Sequence, residues 1–425
     1  MNLQRRIFGP AGRHRALLAA AVPVLLIVAA CSSPAVVPAS SGTPVASRSA
    51  SGLAPSSSAI AAQPSADPIP GVSSIGAGSL HTCVLTTAGG VKCWGYNKRG
   101  ALGNGTGISS NTPVDVIGLT SKVIAIAAGG YDTCAITSQH GLKCWGDNTY
   151  GQLGTGSKSG SLAPVDVSGL TSGVVSVAMS LFNACAVTDK GAVKCWGRNT
   201  YGALGNGSTV DSLVPVDVSG LKSGVTAVAV DSYESCALTK GGAVWCWGFL
   251  LDANHPLAMP THTTPVYIYG LTSGVTAFAI GSAICGIFAG GALKCSGINE
   301  YGQVGDGTTK QRTTLVGVVG LSSGVRALAT GGNFYCALTS GGTVKCWGNN
   351  VSGQLGDGST SQRDAPVVVA GLKGKVAAIA AGDGHACAVL TAGGVECWGA
   401  YGGSGVGMLG VDSSTGSLTP VDVAF

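Results

Sequence analysis

Cysteine is the residue whose type and spacing offer the most chemistry in this chain. Fourteen of the fifteen cysteines form seven pairs, with ten residues from the first member to the second. The pairs are Cys83 with Cys93, Cys134 with Cys144, Cys185 with Cys195, Cys236 with Cys246, Cys285 with Cys295, Cys336 with Cys346, and Cys387 with Cys397. They recur every 51 residues, and once after 49, so the sequence contains a sevenfold repeat.

Three chemistries suit such pairs: disulfide formation, burial as reduced thiols, and zinc binding. Between Cys83 and Cys93, hydrophobic residues alternate on both sides of Thr-Ala-Gly-Gly, which predicts a hairpin with the two cysteines facing each other. Facing residues of antiparallel strands have Cα atoms about 4.5 to 5.5 Å apart, a separation that a disulfide tolerates. Buried thiols are the alternative, whereas zinc is disfavoured because no C-x2-C spacing occurs.

The N-terminal residues predict export. Four arginines within the first 15 residues precede an uncharged apolar run, 16–30, which suits a signal peptide and is too short to span a bilayer. The run ends in Val-Ala-Ala-Cys31, which resembles a bacterial lipobox. We therefore predict a lipoprotein signal peptide at 1–30, lipidation of Cys31 and a place in the bacterial cell envelope, outside the cytoplasm. An oxidising compartment favours the disulfides; an uncleaved signal anchor is the alternative.

Composition separates a tether from a folded domain. Residues 31–70 are rich in Ser, Ala and Pro, and this composition predicts a disordered tether between the lipidated cysteine and a domain at 71–425. The net charge is +5, but removing residues 1–30 leaves 20 basic against 19 acidic residues. Such a balance argues against a general nucleic-acid interface.

Each repeat contains four short segments typical of β-strands. In the second repeat they are Val123–Ala128, Thr133–Thr137, Leu142–Gly146 and Pro164–Val167. Four strands in each repeat of about 50 residues are typical of a β-propeller blade. The sequence therefore predicts an all-β fold, a seven-bladed propeller of four-stranded blades with one disulfide within each blade.

A twelve-residue motif carries a family resemblance. Trp-Gly-Asp-Asn-Thr-Tyr-Gly-Gln-Leu-Gly-Thr-Gly at 145–156, with close copies at 196–207 and 347–358, resembles the W-G-x-N-x-x-G-Q-L-G-x-G signature of the regulator of chromosome condensation (RCC1) repeat. The resemblance covers 71–425 and implies a seven-bladed propeller whose ring is commonly closed by strands from both chain ends. Here we expect Pro420–Val423 to pair beside Val72–Ile75.

No catalytic constellation is evident, so we expect no catalytic residue, cofactor or metal. His81 and His385 each lie two residues before a repeat cysteine, where a structural loop hydrogen bond is the favoured interpretation. His255 and His262 have no cysteine or carboxylate at a ligand spacing. The G-x-x-G-x-G stretches predict turns rather than a phosphate loop, because no G-K-[ST] follows.

Three units depart from the repeat. The fourth loses the signature after Trp247 and has an irregular stretch at 248–262, the fifth has Ser296 where the others have Trp, and the seventh has an insertion at 401–407. An irregular apolar loop on a regular scaffold is either a contact element or a dispensable loop that has drifted.

A second asymmetry lies three residues before each first cysteine. These positions are Leu80, Tyr131, Phe182, Tyr233, Ser282, Asn333 and Gly384. Because equivalent turns lie on one face of a propeller, the four large residues are expected to form an arc over four adjacent blades. The next positions, expected as a polar border to this arc, are His81, Asp132, Asn183 and Glu234. Exposed aromatic groups with polar neighbours are typical of a protein-binding hot spot; the alternative is that they cover the ends of their own blades.

These patterns favour a monomeric, membrane-anchored binding or scaffold propeller outside the cytoplasm. Its partner would be a protein or an envelope component recognised through loops on one face, with no nucleic acid. The first alternative is an envelope glycan-processing enzyme that uses the central channel. The second is guanine-nucleotide exchange or chromatin binding, which the family resemblance implies for eukaryotic members and which export and the near-neutral charge oppose.

Overall fold

The structure is a computed structural model that describes residues 71–250, 261–400, 407–412 and 415–425. Several predictions fall outside these residues: the signal peptide at 1–30, Cys31 with the tether to residue 70, His255 with most of 248–262, and most of the insertion at 401–407. The described residues form 28 strands and no helix. No helix among them is long and apolar enough to cross a membrane.

The strands group into seven antiparallel sheets of four, and each sheet is one blade. Blade 1 contains the first four strands of the chain, and each later blade contains the next four. In chain order the strands are β1 (Val72–Ala77), β2 (His81–Thr86), β3 (Val91–Gly95), β4 (Ser110–Asp115), β5 (Val123–Ala128), β6 (Asp132–Thr137), β7 (Leu142–Gly146), β8 (Ser161–Asp166), β9 (Val174–Met179), β10 (Asn183–Thr188), β11 (Val193–Gly197), β12 (Ser212–Asp217), β13 (Val225–Val230), β14 (Glu234–Thr239), β15 (Val244–Phe249), β16 (Thr261–Tyr267), β17 (Val275–Ile280), β18 (Ala283–Phe288), β19 (Leu293–Gly297), β20 (Arg312–Gly317), β21 (Val325–Thr330), β22 (Phe334–Thr339), β23 (Val344–Gly348), β24 (Arg363–Val368), β25 (Val376–Ala381), β26 (His385–Leu390), β27 (Val395–Gly399) and β28 (Ser417–Asp422).

Within each blade the strands run from the inside of the ring to the outside. First strands of neighbouring blades contact one another around the ring, which fits their small apolar sequences, such as Val-Ile-Ala-Ile-Ala-Ala in β5. Fourth strands are half exposed, and in six of the seven the fourth position or its equivalent is proline. Proline at an outer strand blocks pairing with another chain, because it removes a backbone donor.

The seven predicted disulfides are confirmed. Each joins the second and third strands of one blade, with Cα atoms 4.0 to 4.1 Å apart. From blade 1 to blade 7 the bridges join Cys83 to Cys93, Cys134 to Cys144, Cys185 to Cys195, Cys236 to Cys246, Cys285 to Cys295, Cys336 to Cys346, and Cys387 to Cys397.

The register around these bridges is also the predicted one. In blade 1, Cys83 lies directly opposite Cys93 and Leu85 opposite Val91, as the alternation in the hairpin predicts. All fourteen bridged cysteines are buried. The cysteine ladder is therefore part of the interior of every blade.

The expected closure of the ring by strand pairing is wrong. β28 pairs with β27, where Asp422 faces Glu396, and β1 pairs with β2, so each chain end completes its own blade. The reason is that the residues from β1 to β28 supply seven full sets of four strands, which leaves none to share. Instead, Nε1–H of Trp94 in blade 1 donates to the carbonyl oxygen of Met408 at 2.9 Å.

Candidate functional site

Tryptophan fills six of the seven junctions between blades. In six blades the third strand carries a fully buried tryptophan whose indole N–H donates to a carbonyl oxygen in the loop of the preceding blade, at 2.8 to 2.9 Å. The pairs are Trp94 with Met408, Trp145 with Ala101, Trp196 with Gln152, Trp247 with Ala203, Trp347 with Gln303, and Trp398 with Gln354. These contacts fix each loop on the next blade.

The signature loop is shaped to receive that tryptophan. Nδ2 of Asn148 donates to the carbonyl oxygens of Ser157 and Ser159 at 2.9 Å, and its Oδ1 accepts from the backbone N–H of Leu153. Gly154 has a φ of +68° and a Cβ there would lie 2.8 Å from Nε1 of Trp196, so both the turn and the close approach require glycine. The motif thus encodes a rigid loop against the neighbouring blade.

Main-chain hydrogen bonds bring two kinds of loop residue together on one face. The residue after each Trp-Gly donates its N–H to the carbonyl of the residue three places before the blade's first cysteine. Examples are Tyr96 to Leu80 at 2.8 Å and Phe249 to Tyr233 at 2.9 Å. The turn between the first two strands therefore lies beside the loop that follows the third strand.

The aromatic side chains of these loops form a row. We define the aromatic row as Tyr96, Tyr131, Tyr150, Phe182, Tyr201, Tyr233 and Phe249. Ring contacts cross each junction from blade 1 to blade 4, with centroids 5.1 to 6.3 Å apart at tilted or edge-to-face angles. This is the preferred geometry for aromatic pairs. The contacts form two groups, Tyr96 with Tyr131 and the other five rings together, and all seven side chains are half-buried.

A cation strengthens the middle of the aromatic row. The guanidinium carbon of Arg198 lies 5.0 Å from the ring centroids of both Tyr150 and Phe182. This geometry allows a cation–π interaction with each ring. Arg198 and the tyrosines of the W-G-x-N-x-x-G loops were not among the predicted site residues. The signal for them was present, because they occupy the variable positions of an otherwise fixed motif.

The predicted arc is only partly assembled. Tyr131, Phe182 and Tyr233 belong to the aromatic row, and Phe182 contacts Tyr233 across a blade junction at 6.3 Å. Leu80 packs instead against the hydrophobic cluster shared by blades 7 and 1. Ser282, at the equivalent position of blade 5, is small and buried. A role of these residues in binding stays a prediction.

The expected polar border is wrong in its placement. His81, Asp132, Asn183 and Glu234 are at most 9% exposed. They begin the second strand of their blade, and two of them reach across the junction: His81 meets Thr133, and Asn183 meets Ser235, each the second residue of the next blade's second strand. Thr133 donates its hydroxyl to Ala101 O at 3.0 Å, so Nε2–H of His81 donates to Thr133 Oγ1 at 2.9 Å. His81 and Asn183 therefore connect blades, and none of the four residues borders a surface.

Two buried histidines are neutral members of these junctions. His385 Nε2 and Thr82 Oγ1 share a hydrogen bond of 2.8 Å between blades 7 and 1. Burial lowers the pKa of His385 to about 4, and burial with the nearby charge of His385 lowers the pKa of His81 to about 3. The expected structural role is present, although the bonds cross a junction rather than close a loop.

Asp132 lacks the partner that its equivalents have. The residue facing it in blade 3 is Ala184, which has no hydroxyl, and neither carboxylate oxygen of Asp132 has a hydrogen bond. Burial, with the nearby charge of Asp147, raises the pKa of Asp132 well above its usual range. Burial therefore favours the neutral form of Asp132 in the folded protein, and its charged form would be costly there.

A second acid lies among the turns near the aromatic row. Burial raises the pKa of Asp383 to about 6, opposed by a hydrogen bond from Ser79 and assisted by the charge of Asp231. Burial and the charge of Asp383 raise the pKa of Tyr131. Across the part of the chain that the structure describes, no three His, Cys, Asp or Glu side chains form a group that could hold a metal ion.

The fold defines a class: a seven-bladed propeller of four-stranded blades, with tryptophan in six of its seven junctions. Two models of the regulator of chromosome condensation (RCC1) repeat match the chain, one at 88–136, 144–187, 190–238 and 341–389, the other at 72–101, 123–152, 174–203 and 325–354. The chain belongs to the RCC1 repeat family. Residues 239–324, which contain Ser296 and the irregular loop, lie outside both sets of matches.

Two proteins of different kinds are similar to this chain in sequence. The chain is 30% identical over 337 residues to the ultraviolet-B receptor UVR8 of Arabidopsis thaliana, covering 76% of each protein. It is also 30% identical over 324 residues to the human E3 ubiquitin-protein ligase HERC2, covering 75% of this chain but 6% of that protein.

Solved structures share the fold. Yeast RCC1 (Prp20), bound to Kap60, has a TM-score of 0.68 at 20% identity, with 86% of this chain and 89% of that chain covered. Human WBSCR16 has a TM-score of 0.64 at 22% identity, with 75% of this chain and 86% of that chain covered.

Proposed function

We propose that this propeller is a binding or scaffold protein that recognises a protein partner through the aromatic row. The observation that carries the proposal is the set of ring contacts that cross every junction from blade 1 to blade 4. Aromatic residues and arginine are the residue types that dominate protein-binding hot spots, because they bury large areas with few rotatable bonds.

The other blades lack aromatic residues in the equivalent turns of the same face, which supports the aromatic row as the binding surface. Blades 5 to 7 have Ser282, Asn333 and Gly384 where blades 2 to 4 have Tyr131, Phe182 and Tyr233. Binding of protein partners also occurs within the family, since the yeast RCC1 structure contains Kap60. A sector of aromatic residues on a rigid ring suits a protein surface, because these side chains lose little conformational freedom when a partner binds.

Location is a second part of the proposal. The lipobox-like sequence ending at Cys31 would anchor the mature protein to the outer side of a bacterial membrane, with 31–70 as a tether. Seven disulfides support an oxidising compartment outside the cytoplasm. Changing Cys31 to Ser and measuring whether the protein leaves the membrane fraction tests this anchor. Retention of the variant in the membrane would contradict it.

Affinity capture with matched surface variants tests the aromatic row. The test variant is Tyr150→Ala with Phe182→Ala, both in the row. The control is Tyr301→Ala, because Tyr301 has the same loop position in blade 5, is 38% exposed and lies outside the row. The backbone N–H of Tyr301 donates to the side-chain oxygen of Gln303, and that of Tyr150 donates to the side-chain oxygen of Gln152. The two tyrosine substitutions therefore perturb equivalent loops.

We expect the wild type and Tyr301→Ala to capture the same partner from envelope extracts, and the row variant to lose it. The partner is then purified and its affinity for each variant measured by calorimetry. Removal of two hot-spot rings should weaken binding by at least about 3 kcal/mol. Equal affinity of all three proteins would show that the row is not the recognition surface.

A further inference from the structure

The junction between blades 4 and 5 lacks the tryptophan that fills the other six. In those six, the indole packs against the disulfide of the preceding blade and a valine of its outer strand. Trp196, for example, belongs to one cluster with Cys134, Cys144 and Val165. The cluster around Cys236, Cys246 and Val266 contains no tryptophan, because the position is Ser296.

A cavity of about 280 Å³ lies at this junction. Its lining includes Cys236, Cys246 and Val266 from blade 4 and Ile284 and Ser296 from blade 5. The first three are the equivalents of the residues that contact the indole elsewhere. The cavity therefore occupies the place of the missing ring. None of its described lining residues belongs to the aromatic row, so it is a separate site from the proposed recognition surface.

We propose that this cavity binds a planar aromatic ring of about the size of indole. Six equivalent positions in the same ring hold an indole group against the same kind of disulfide and outer-strand valine that line this cavity. A cavity of roughly 150 Å³ in another protein holds benzene, so a volume of about 280 Å³ has room for an indole ring.

The chemistry of the lining suits a ring with both apolar and polar atoms. The Cys236–Cys246 disulfide and aliphatic side chains such as Val266 and Ile284 offer apolar contacts to the carbon atoms of a ring. Polar groups also line the cavity, among them Glu234, His262 and Arg312. A ring with an N–H or hydroxyl substituent would place that substituent against these polar groups and its carbon atoms against the disulfide.

Indole itself is the probe for the test. Full-length wild-type protein should bind it saturably by calorimetry, with a dissociation constant on the order of 0.1 to 1 mM, as expected for so small a ligand. Ser296→Ala keeps the cavity open and should bind indole as the wild type does. Ser296→Trp restores the residue of the other six junctions and should abolish binding, because its own ring fills the space.

A second measurement covers the case in which Ser296→Trp fails to fold. Crystals of the wild type soaked with an iodine-labelled indole should show anomalous density between Ser296 and the Cys236–Cys246 disulfide. Absence of saturable binding to the wild type, or label found only elsewhere, would overturn the proposal, as would binding unchanged in a folded Ser296→Trp variant.

The source of the ring is distinguished by a parallel titration. A short peptide with one tryptophan and a control peptide with leucine in its place are compared with free indole. If only indole binds, the site takes small aromatic molecules; if the tryptophan peptide binds as well and the leucine peptide does not, the site takes an aromatic side chain of another protein. Both results support the aromatic site, whereas equal binding of the two peptides without indole binding contradicts it.

Discussion

Two junctions of the ring share a disulfide and an outer-strand valine and differ in the side chain that the next blade supplies. Between blades 2 and 3, Trp196 donates to the carbonyl of Gln152 and its ring lies against Gly154. Between blades 4 and 5, Ser296 stands in the tryptophan position, and the loop signature after Trp247 is absent from the sequence. The tryptophan and the glycine-rich loop of the preceding blade form one contact. Without the tryptophan, the loop has no ring to pack against, so its signature residues are no longer required.

The largest expected effect compares these two junctions directly. Trp196→Ala should lower the free energy of unfolding by about 3 to 5 kcal/mol, because it removes a fully buried ring and its hydrogen bond. Ser296→Ala should change it by less than about 0.5 kcal/mol, because no ring is lost. Urea denaturation followed by tryptophan fluorescence and circular dichroism measures both. Similar losses in the two variants would break the comparison.

A pH titration tests the junction between blades 7 and 1, where His385 meets Thr82. The pKa of His385 is about 4 in the folded protein and about 6.5 when unfolded, so the unfolded chain takes up a proton first as the pH falls. The stability that this group contributes is complete above pH 6.5 and is lost between pH 6.5 and 4. The loss should approach about 3 kcal/mol at pH 4.

His385→Gln is the matched variant, because glutamine keeps a polar group and does not titrate. Its unfolding free energy should therefore fall less than that of the wild type between pH 6.5 and 4. Asp383 has a raised pKa, so its contribution to stability grows as the pH falls over part of this range, opposite to that of His385. Asp383 is present in both proteins, so its contribution cancels when the two pH profiles are subtracted. Parallel pH profiles of the two proteins would contradict a buried neutral histidine.

Asp132 gives a smaller effect in the junction between blades 2 and 3. Its raised pKa means that the folded protein holds this proton more tightly than the unfolded chain, so the acid destabilises the fold as the pH rises above about 4. Asp132→Asn should therefore stabilise the protein by about 1 to 2 kcal/mol at pH 7 and by less at pH 4. Thermal unfolding at both pH values measures the difference.

Ala184→Ser is the complementary change, since a hydroxyl there would face Asp132 as Thr133 faces His81. It should also stabilise the protein, and less than additively with Asp132→Asn, because both changes remove the same unpaired group. A destabilising Asp132→Asn would show that the carboxyl group has a favourable interaction in this junction.

The sequence predicts those features that depend on local spacing. Cys83 and Cys93 flank one hairpin turn, so their register follows from alternation alone, and the repeat length gives the blade count. The closure of the ring depends instead on which strands are left unpaired at the two chain ends, which the Pro420–Val423 segment does not reveal. His81 was misplaced because the direction of a side chain at the first residue of a strand depends on where the strand begins.

Four members of the aromatic row, Tyr96, Tyr150, Tyr201 and Phe249, were missed for a related reason. Tyr96 and Tyr131 are 35 positions apart in different blades, and only the packing of a loop on the next blade brings their rings to 5.6 Å. Ser296 was visible as a departure from the repeat, but the cavity beside it follows from the place of the indole in the other six junctions. Contacts between repeats are therefore the part that periodicity alone does not supply.

The smallest expected effect on stability concerns the surface of the tryptophan-filled junctions. Phe182 contacts Tyr233 across the junction of blades 3 and 4, yet both rings are half-buried and the interior there already holds Trp247. Tyr233→Phe keeps the ring and should leave the free energy of unfolding within about 0.5 kcal/mol of the wild type. Tyr233→Ala should lower the free energy of unfolding by about 1 kcal/mol, the typical contribution of an aromatic pair. A loss as large as that of Trp196→Ala in urea denaturation would mean that the aromatic row holds the ring together, and the division between a structural interior and a surface available for binding would then fail.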